Sequence, residues 1–494
     1  MTFVAGSWHR LVPNRGGDSV EGRRPQARFL LSDVCMMLPL PPSSSRPGFI
    51  LVLCVALLNA CSEAPPDAGG QAAGAGSAAE GGRSGSAGAA QIERSSVAAD
   101  DSPDISDDDY AAFIKAVTGF GLELGQNVAV SEGLTTKNAV YSPLSAAYAL
   151  AMTYAGARGQ TGLEMKSVLR DGFEEDTYHS GANRLARDLA ARATTETRPN
   201  GKEGKVELNL AASLFLERTL QVQPTFLDLL AREYASGVQR LDFRGAHEAA
   251  RLTINDWVAE QTKDKILDLI PMDKIDENTP FVLVNALYFY GSWSQPFMKE
   301  ATRPADFHTL GGETLQVPTM HGYGMRTGSA STTDFNAVEL GYIGNSLSMI
   351  IVVPAQDKFE SIRSTVTSAW LEQTIDSFKP SYLNVTLPKF KMTVGSFSLD
   401  DGLKELGMKQ AFENDADFSG LAAGVKVATV LQKAFIAVDE DGTEAAAATA
   451  VIGGPTSAPI DQPVPFVIDR PFLFFIRDES GAVLFSGHVV DPSK

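Results

Sequence analysis

Over most of the chain the apolar residues recur in one of two rhythms. Spacings of three and four predict helices over residues 110–128, 143–154, 161–169 and 176–194, because a helical turn of about 3.6 residues lines such positions along one face. Alternation, or a short apolar run closed by Pro or Gly, predicts strands over 206–216, 281–289, 347–353, 383–392, 425–438 and 472–476. The run at 281–289 is closed by Pro280 and Gly291. Strands scattered among helices without regular strand–helix–strand alternation indicate an α+β fold with large mixed or antiparallel sheets.

Two polar side chains interrupt these apolar strands. Alternate residues of a strand point to the same face. Asn285 therefore shares a face with Leu283, Leu287 and Phe289, and Gln432 with Ala428, Val430, Ala434 and Ile436. A buried amide without a partner costs roughly 2–7 kcal/mol, so each is expected to bond across a sheet.

Residues 62–109 follow neither rhythm. They are Ala, Gly, Ser, Pro and acids with almost no large apolar residue, which predicts a flexible linker. Before them, the apolar segment from Phe49 to Leu58 follows Arg46 and ends at Leu58-Asn59-Ala60-Cys61. Charged, apolar and small-residue zones in that order make an export signal, and Met36 or Met37 is the expected start. The segment is too short to span a bilayer, which takes about 20 residues. The expected division is an export segment at 1–61, a linker at 62–109 and a folded domain at 110–494.

Composition narrows the chemistry. A formal charge of −18 offers no basic face for nucleic acid. Cys35, Cys54 and Cys61 are the only cysteines, so the folded domain has none for a disulfide, a metal or a nucleophile. Neither Gly-x-Ser-x-Gly nor His-Glu-x-x-His occurs, and the histidines after the linker are scattered. No catalytic group, metal or cofactor is indicated.

A series of segments is more specific. Asn138-Ala-Val-Tyr-Ser-Pro-Leu-Ser-Ala-Ala-Tyr-Ala-Leu150 places Ser142 as a helix cap with Pro143 in the first turn. Ile254-Asn-Asp-Trp-Val258, Leu283-Val-Asn-Ala-Leu-Tyr-Phe-Tyr-Gly-Ser-Trp293, Leu387-Pro-Lys-Phe-Lys391, Ala416-Asp-Phe-Ser-Gly420, Gly442-Thr-Glu-Ala-Ala-Ala-Ala-Thr449 and Arg470-Pro-Phe-Leu-Phe-Phe-Ile476 follow. In order and spacing these resemble the serpins, the serine protease inhibitor superfamily, from about residue 108 to the C-terminus.

The resemblance implies a multi-helix body with large mixed sheets and an exposed reactive-centre loop. A protease cuts that loop, and its N-terminal part enters the main sheet as a new strand while still joined to the protease as an acyl-enzyme. Displacing the protease triad by about an ångström would slow deacylation by orders of magnitude. The implied hinge is Glu440, Gly442, Thr443, Glu444, Ala445, Ala446, Ala447 and Ala448. One strand parity of the loop collects Thr443, Ala445, Ala447, Thr449 and Val451, and Glu444 falls on the other. Before cleavage Thr443 is expected to be exposed or only shallowly inserted. Counting forward from Glu440 at the family's usual spacing places the reactive bond between Thr456 and Ser457, within a window from Val451 to Ala458 that holds only small, aliphatic, Thr, Ser or Pro side chains. The implied partner is an elastase-like or subtilisin-like serine protease, with a cysteine protease as a further candidate.

The family's sheet-opening cluster maps to Ser142, Ser145, Asn285 and Gln432, where Gln432 stands in place of the usual histidine. Trp293 maps to the top of the sheet, where insertion begins. Helix 176–194 offers only Arg184, Arg187 and Arg192, offset by Asp176 and Asp188, so no heparin dependence is expected. Segment 58–61 resembles a bacterial lipobox in which Cys61 becomes the lipidated first residue; ordinary cleavage and release is the alternative. The expectation is an exported monomer, extracellular or in the cell envelope. The rival reading is a non-inhibitory serpin-fold binding or chaperone protein.

Overall fold

The computed structural model describes residues 90–169, 172–198, 201–393, 395–444 and 462–494. Among them are the helices α1 (Asp107–Ser131), α2 (Pro143–Tyr154), α3 (Gly159–Val168), α4 (Glu175–Ala191), α5 (Pro224–Tyr234), α6 (Phe243–Gln261), α7 (Phe359–Thr365), α8 (Ser368–Asp376) and α9 (Asp400–Leu406). Local chemistry sets several of their ends. The Ser106 hydroxyl accepts from Asp109 N ahead of an acidic first turn in α1, and the Ser142 hydroxyl accepts from Ser145 N with Pro143 in the first turn of α2. Every residue of α2 is buried.

The strands build two sheets. A ten-stranded sheet runs, in spatial order, β1 (Gln91–Glu93), β5 (Val238–Leu241), β4 (Glu203–Glu217), β6 (Phe281–Ser292), β16 (Gly442–Thr443), β15 (Phe435–Val438) and β12 (Phe390–Thr393). Beside this path β3 (Thr194–Thr197) pairs with β4, while β14 (Val430–Gln432) pairs with both β6 and β13 (Phe397–Ser398). A nine-stranded sheet runs β17 (Val464–Val467), β11 (Lys379–Pro388), β8 (Thr314–Ser331), β9 (Phe335–Gly341), β10 (Leu347–Pro354), β18 (Phe472–Asp478), β19 (Val483–Val489) and β2 (Ala139–Tyr141), with β7 (Arg303–His308) on β8.

Strand β6 is apolar on both faces because both faces are covered. Leu283, Leu287 and Phe289 join the main core with α1, α2 and residues of the nine-stranded sheet, while Val282, Val284 and Ala286 meet Ile254 and Val258 of α6 on the opposite side.

The α+β architecture agrees with the periodicity; α5, α6 and β8 lie where no element was expected, most other ends differ by a few residues, and four differences change the topology. The helix expected to reach Thr194 ends at Ala191, and Thr194 opens β3 against Val206. The strand expected over 383–392 divides between the two sheets: β11 ends at Pro388, Lys389 N donates to Pro318 O at 2.8 Å, and β12 continues in the ten-stranded sheet. The strand expected over 425–438 begins at Val430 and divides after Gln432, because β16 occupies the place beside upper β6 and holds β15 one strand further out. The linker expected to extend to Asp109 is already folded at β1, whose three residues pair with the edge of β5.

Candidate functional site

On one side β6 pairs with β4 from Phe281 to Gly291 without interruption. On the other side β14 pairs with Leu283 and Val284 in parallel, and β16 pairs with Gly291 and Ser292 in antiparallel register. Among the described residues no strand pairs with 285–290 on that side, which leaves a slot in the ten-stranded sheet.

The upper end of the slot is the hinge. Asp439 N donates to Gly442 O at 2.9 Å, closing a tight hairpin between β15 and β16. A Cβ at Gly442 would lie 2.0 Å from Gly291 O, so only glycine lets the chain pass this close to β6. Thr443 is the second and last residue of β16 paired with β6, yet it is buried, and its hydroxyl pairs with the Tyr342 hydroxyl at 2.7 Å. Of the two expected placements, exposed or only shallowly inserted, Thr443 takes the second, and it is buried there beneath the Tyr342 and Trp293 rings. Tyr342 stacks on Trp293 at 4.7 Å, and Trp293 donates through N to Asp441 O and through Nε1 to Asp439 O, both at 2.9 Å.

Three consecutive carboxylates fix the turn. Glu440 accepts from Lys389 Nζ at 2.8 Å and from Thr302 Oγ1 at 2.7 Å. Burial alone would raise its pKa, but these two partners outweigh burial and hold it below the ordinary glutamate value. Asp441 meets Lys299 at 2.7 Å and Arg198 at 3.7 Å. Asp439 accepts from Asp441 N at 2.9 Å, and burial pushes its carboxyl up. At Glu444 the chain leaves the strand with φ at +60°, a left-handed conformation unusual for a residue other than glycine. Its carboxylate reaches Lys265 at 3.0 Å and accepts from the Tyr288 hydroxyl at 3.3 Å; burial raises its pKa despite the lysine.

The lower end of the slot is a buried polar cluster. Gln432 Oε1 accepts from Ser142 N at 3.0 Å, and its Nε2 reaches Ser142 O at 3.0 Å, Ser145 Oγ at 3.2 Å and Asn285 Oδ1 at 3.2 Å. Ser145 Oγ donates to Asn285 Oδ1 at 3.0 Å, and Ser142 Oγ to Leu484 O at 2.7 Å. The amide of Gln432 both donates and accepts here, as an imidazole in its place could. Asn285 Nδ2 is buried and has no hydrogen-bond partner among the described residues.

Ser142, Ser145, Asn285 and Gln432 therefore meet, and Glu440, Gly442, Thr443, Glu444 and Trp293 gather at the other end. Ala445, Ala446, Ala447, Ala448, Thr456, Ser457 and Cys61 lie outside the described residues. Sequence reasoning missed Tyr342, Lys299, Lys389 and Arg198. Lys389 sat inside a recognisable segment, but nothing local marked the others. The three arginines expected on α4 each meet a carboxylate: Arg184 with Asp107 at 2.8 Å, Arg187 with Asp101 at 3.0 Å and Arg192 with Asp478 at 2.8 Å. His179 and His488 are buried, bonded to the Tyr234 hydroxyl and to Leu134 O.

Comparison with known proteins agrees with this geometry. A family model described as Serpin (serine protease inhibitor) matches residues 115–492. Human leukocyte elastase inhibitor is 35% identical over 389 residues, covering 76% of this chain and 98% of that protein. The crystal structure of a highly specific serpin from the insect Tenebrio molitor matches with a TM-score of 0.66 at 30% identity, covering 78% of this chain and 99% of the other. Human thyroxine-binding globulin, complexed with thyroxine, matches with a TM-score of 0.67 at 26% identity over 78% of this chain and 100% of the other.

Proposed function

The chain belongs to the serpin family, and on that premise we propose that it is a single-use inhibitor of serine proteases. A protease cuts the loop between β16 and β17, and the cut end closes into the slot beside β6 before the acyl-enzyme can hydrolyse.

The observation that carries this reading is the register of β16. Gly442 faces Ser292 and Thr443 faces Gly291. Continued downward, the same register sets Ala445 opposite Phe289, Ala447 opposite Leu287 and Thr449 opposite Asn285, so that residues 444–449 match the unpaired 285–290. These small side chains would face the main core, and the Thr449 hydroxyl would meet the unpaired Asn285 amide. Glu444 would exchange its left-handed backbone for an extended one, releasing about 1–2 kcal/mol. The hairpin that insertion lengthens is already closed, so a cut loop needs no new turn to begin.

The proposed bond is Thr456–Ser457, within 451–458. Its small side chains and the likeness to leukocyte elastase inhibitor support an elastase-like target, with a subtilisin-like one next. Incubation with such a protease should give a one-to-one complex that survives boiling in detergent; inhibition that vanishes on denaturation would overturn the reading. Ala447→Arg should raise the number of inhibitor molecules consumed per protease at least tenfold. On insertion its guanidinium would have to enter the core face opposite Leu287, and a rise of about 2.7 kcal/mol in the insertion barrier slows trapping roughly a hundredfold against hydrolysis. Wild-type stoichiometry in this variant would show that the loop does not enter by this register. The likeness to thyroxine-binding globulin supports a second reading, a non-inhibitory carrier, which predicts cleavage without trapping.

We also propose that residues 1–61 direct export to the cell envelope or beyond, with Cys61 acylated. Fatty-acid labelling should follow Cys61 and disappear in Cys61→Ser, whereas unlabelled, freely soluble protein would favour simple secretion.

A further inference from the structure

The segment from Ala90 to Ser106, compositionally a spacer, is bonded along its length. Its first strand pairs Gln91, Ile92 and Glu93 with Arg240, Gln239 and Val238, so β1 rather than β5 ends the ten-stranded sheet. Glu93 meets Arg240 at 3.4 Å. The contact is close enough that a Cβ at Gly237 would lie 2.3 Å from Glu93 O. The Ser95 hydroxyl donates to Asp228 of α5, Asp100 N donates to Arg232 O at 2.8 Å, and Asn183 Nδ2 of α4 donates to Asp100 O at 3.1 Å. Asp101 pairs with Arg187 of α4 at 3.0 Å, and Ile105 packs against the main core. The segment ends as the cap of α1, where Asp107 meets Arg184 at 2.8 Å.

Its two ends are thus held by different parts of the molecule. One end is laced to β5, which lies on the β4 side of the slot. The other end is continuous with α1, which packs most extensively on α2 and α9, away from β5, and also on α4, α8 and β19. Admitting a strand into the slot widens the sheet by one strand spacing, about 4.8 Å. Because β16 already holds β15 one strand out, the separation falls at the lower end, where the block β6–β4–β5 must shift by that amount relative to β14 and to the helices beneath. A short chain fixed at β5, α5, α4 and α1 cannot follow such a shift without breaking contacts. Resting on the insertion reading above, we propose that residues 90–106 are a strap that brakes expansion of the sheet in the uncleaved molecule. The strap raises the barrier to spontaneous, protease-independent insertion and lengthens the life of the open-slot state.

Two variants of the full chain loosen the strap by different means. Gly237→Ala leaves the strap's sequence intact and pushes Glu93 off β5. Glu93→Lys/Asp101→Lys/Asp107→Lys sets a lysine against an arginine at two points of the strap and at its junction with α1. The readout is the rate at which uncut protein, held a few degrees below its unfolding temperature, converts to a monomeric form of raised unfolding temperature. Both variants should convert about tenfold faster than the unaltered protein. Adding Arg184→Asp/Arg187→Asp/Arg240→Asp to the triple variant should restore the slow rate. Equal rates in all four proteins would overturn the brake. So would a faster loss through aggregation alone, since that would make β1 only a cover for a sheet edge. Because the readout needs no protease, its failure is separate from that of the inhibitor reading, which falls only if the unaltered protein traps no protease.

Discussion

The two sides of strand β6 carry opposite designs. Toward β4 the ladder is unbroken from Phe281 to Gly291, and Leu214 lies opposite Leu283 with both buried. Toward β15 the strand is held at its two ends, by two residues of β14 and two of β16, with ion pairs above and an amide–hydroxyl cluster below. The same strand is therefore permanent on one edge and available on the other. Ladder length explains the difference better than composition does, because the residues concerned are apolar on both edges. An uninterrupted antiparallel ladder with apolar packing is lost only with the fold. A gap whose ends rest on a few polar contacts can be refilled while the rest of the molecule stays folded.

The sharpest test of this contrast is a core substitution on the closed side. Leu214→Ala should lower unfolding stability by about 2–5 kcal/mol. It should leave the stoichiometry of the proposed protease trapping near wild type, because the ladder toward β4 would keep its register when the loop enters the other side. A large rise in stoichiometry, read from titration against active protease, would mean that the two edges are coupled.

A smaller effect is expected on the open side. Gln432→Leu keeps the bulk of the side chain but strips partners from Ser142 N and Asn285 Oδ1, costing about 1–3 kcal/mol. Because that loss falls on the join between β14 and β6, spontaneous conversion to the heat-resistant form should accelerate about tenfold or more. Unchanged conversion with reduced global stability would place the cluster on the permanent side of the comparison.

The smallest effect is a pH dependence of opposite sign on the two edges. On the closed side Lys263 and Lys205 hydrogen-bond Glu207 and hold its pKa down. Its stabilisation is present above the ordinary glutamate value and lost as pH falls through the lowered one. On the open side burial raises Glu444, so its seat is most stable below the ordinary glutamate value and weakens as pH rises through the raised one. Mild acidification from neutrality should therefore raise hydrogen-exchange protection at the hinge, relative to the intrinsic rate at each pH, before it lowers protection at the β4 edge, and Glu444→Gln should abolish the hinge effect. Protection that falls at both edges together would contradict the assignment.

The local pattern made much of this legible. Period alone placed Asn285 on the core face of β6, and the cap chemistry of Ser142 and Pro143 positioned α2 beneath it. The segments from Asn138 to Ile476 pointed to the family and, through it, to the hinge. The 90–106 strap was not legible: Ile92, Val97 and Ile105 form no periodic face, and its order comes from arginines and a sheet edge far along the chain. Nor could pattern divide 383–392 or 425–438, since alternation reads the same whichever sheet receives the strand.

What the sequence by itself determined is the type of the elements whose rhythm it displays, among them α1, α2, α4, β4 and β6, the face that β6 turns inward and the small, charge-poor character of the loop, while α5, α6 and β8 went unread. These follow from side-chain period and size, which are properties of neighbours along the chain. Only the tertiary structure decided that β16 is already seated, that Thr443 is buried beneath Tyr342, that β6 is left unpaired from 285 to 290 and that Arg198 and Lys299 face Asp441. Each of these is a meeting of residues tens to hundreds of positions apart. Such contacts arise when the chain closes its loops and two surfaces complete each other's hydrogen bonds and charges, and no local periodicity encodes the partner.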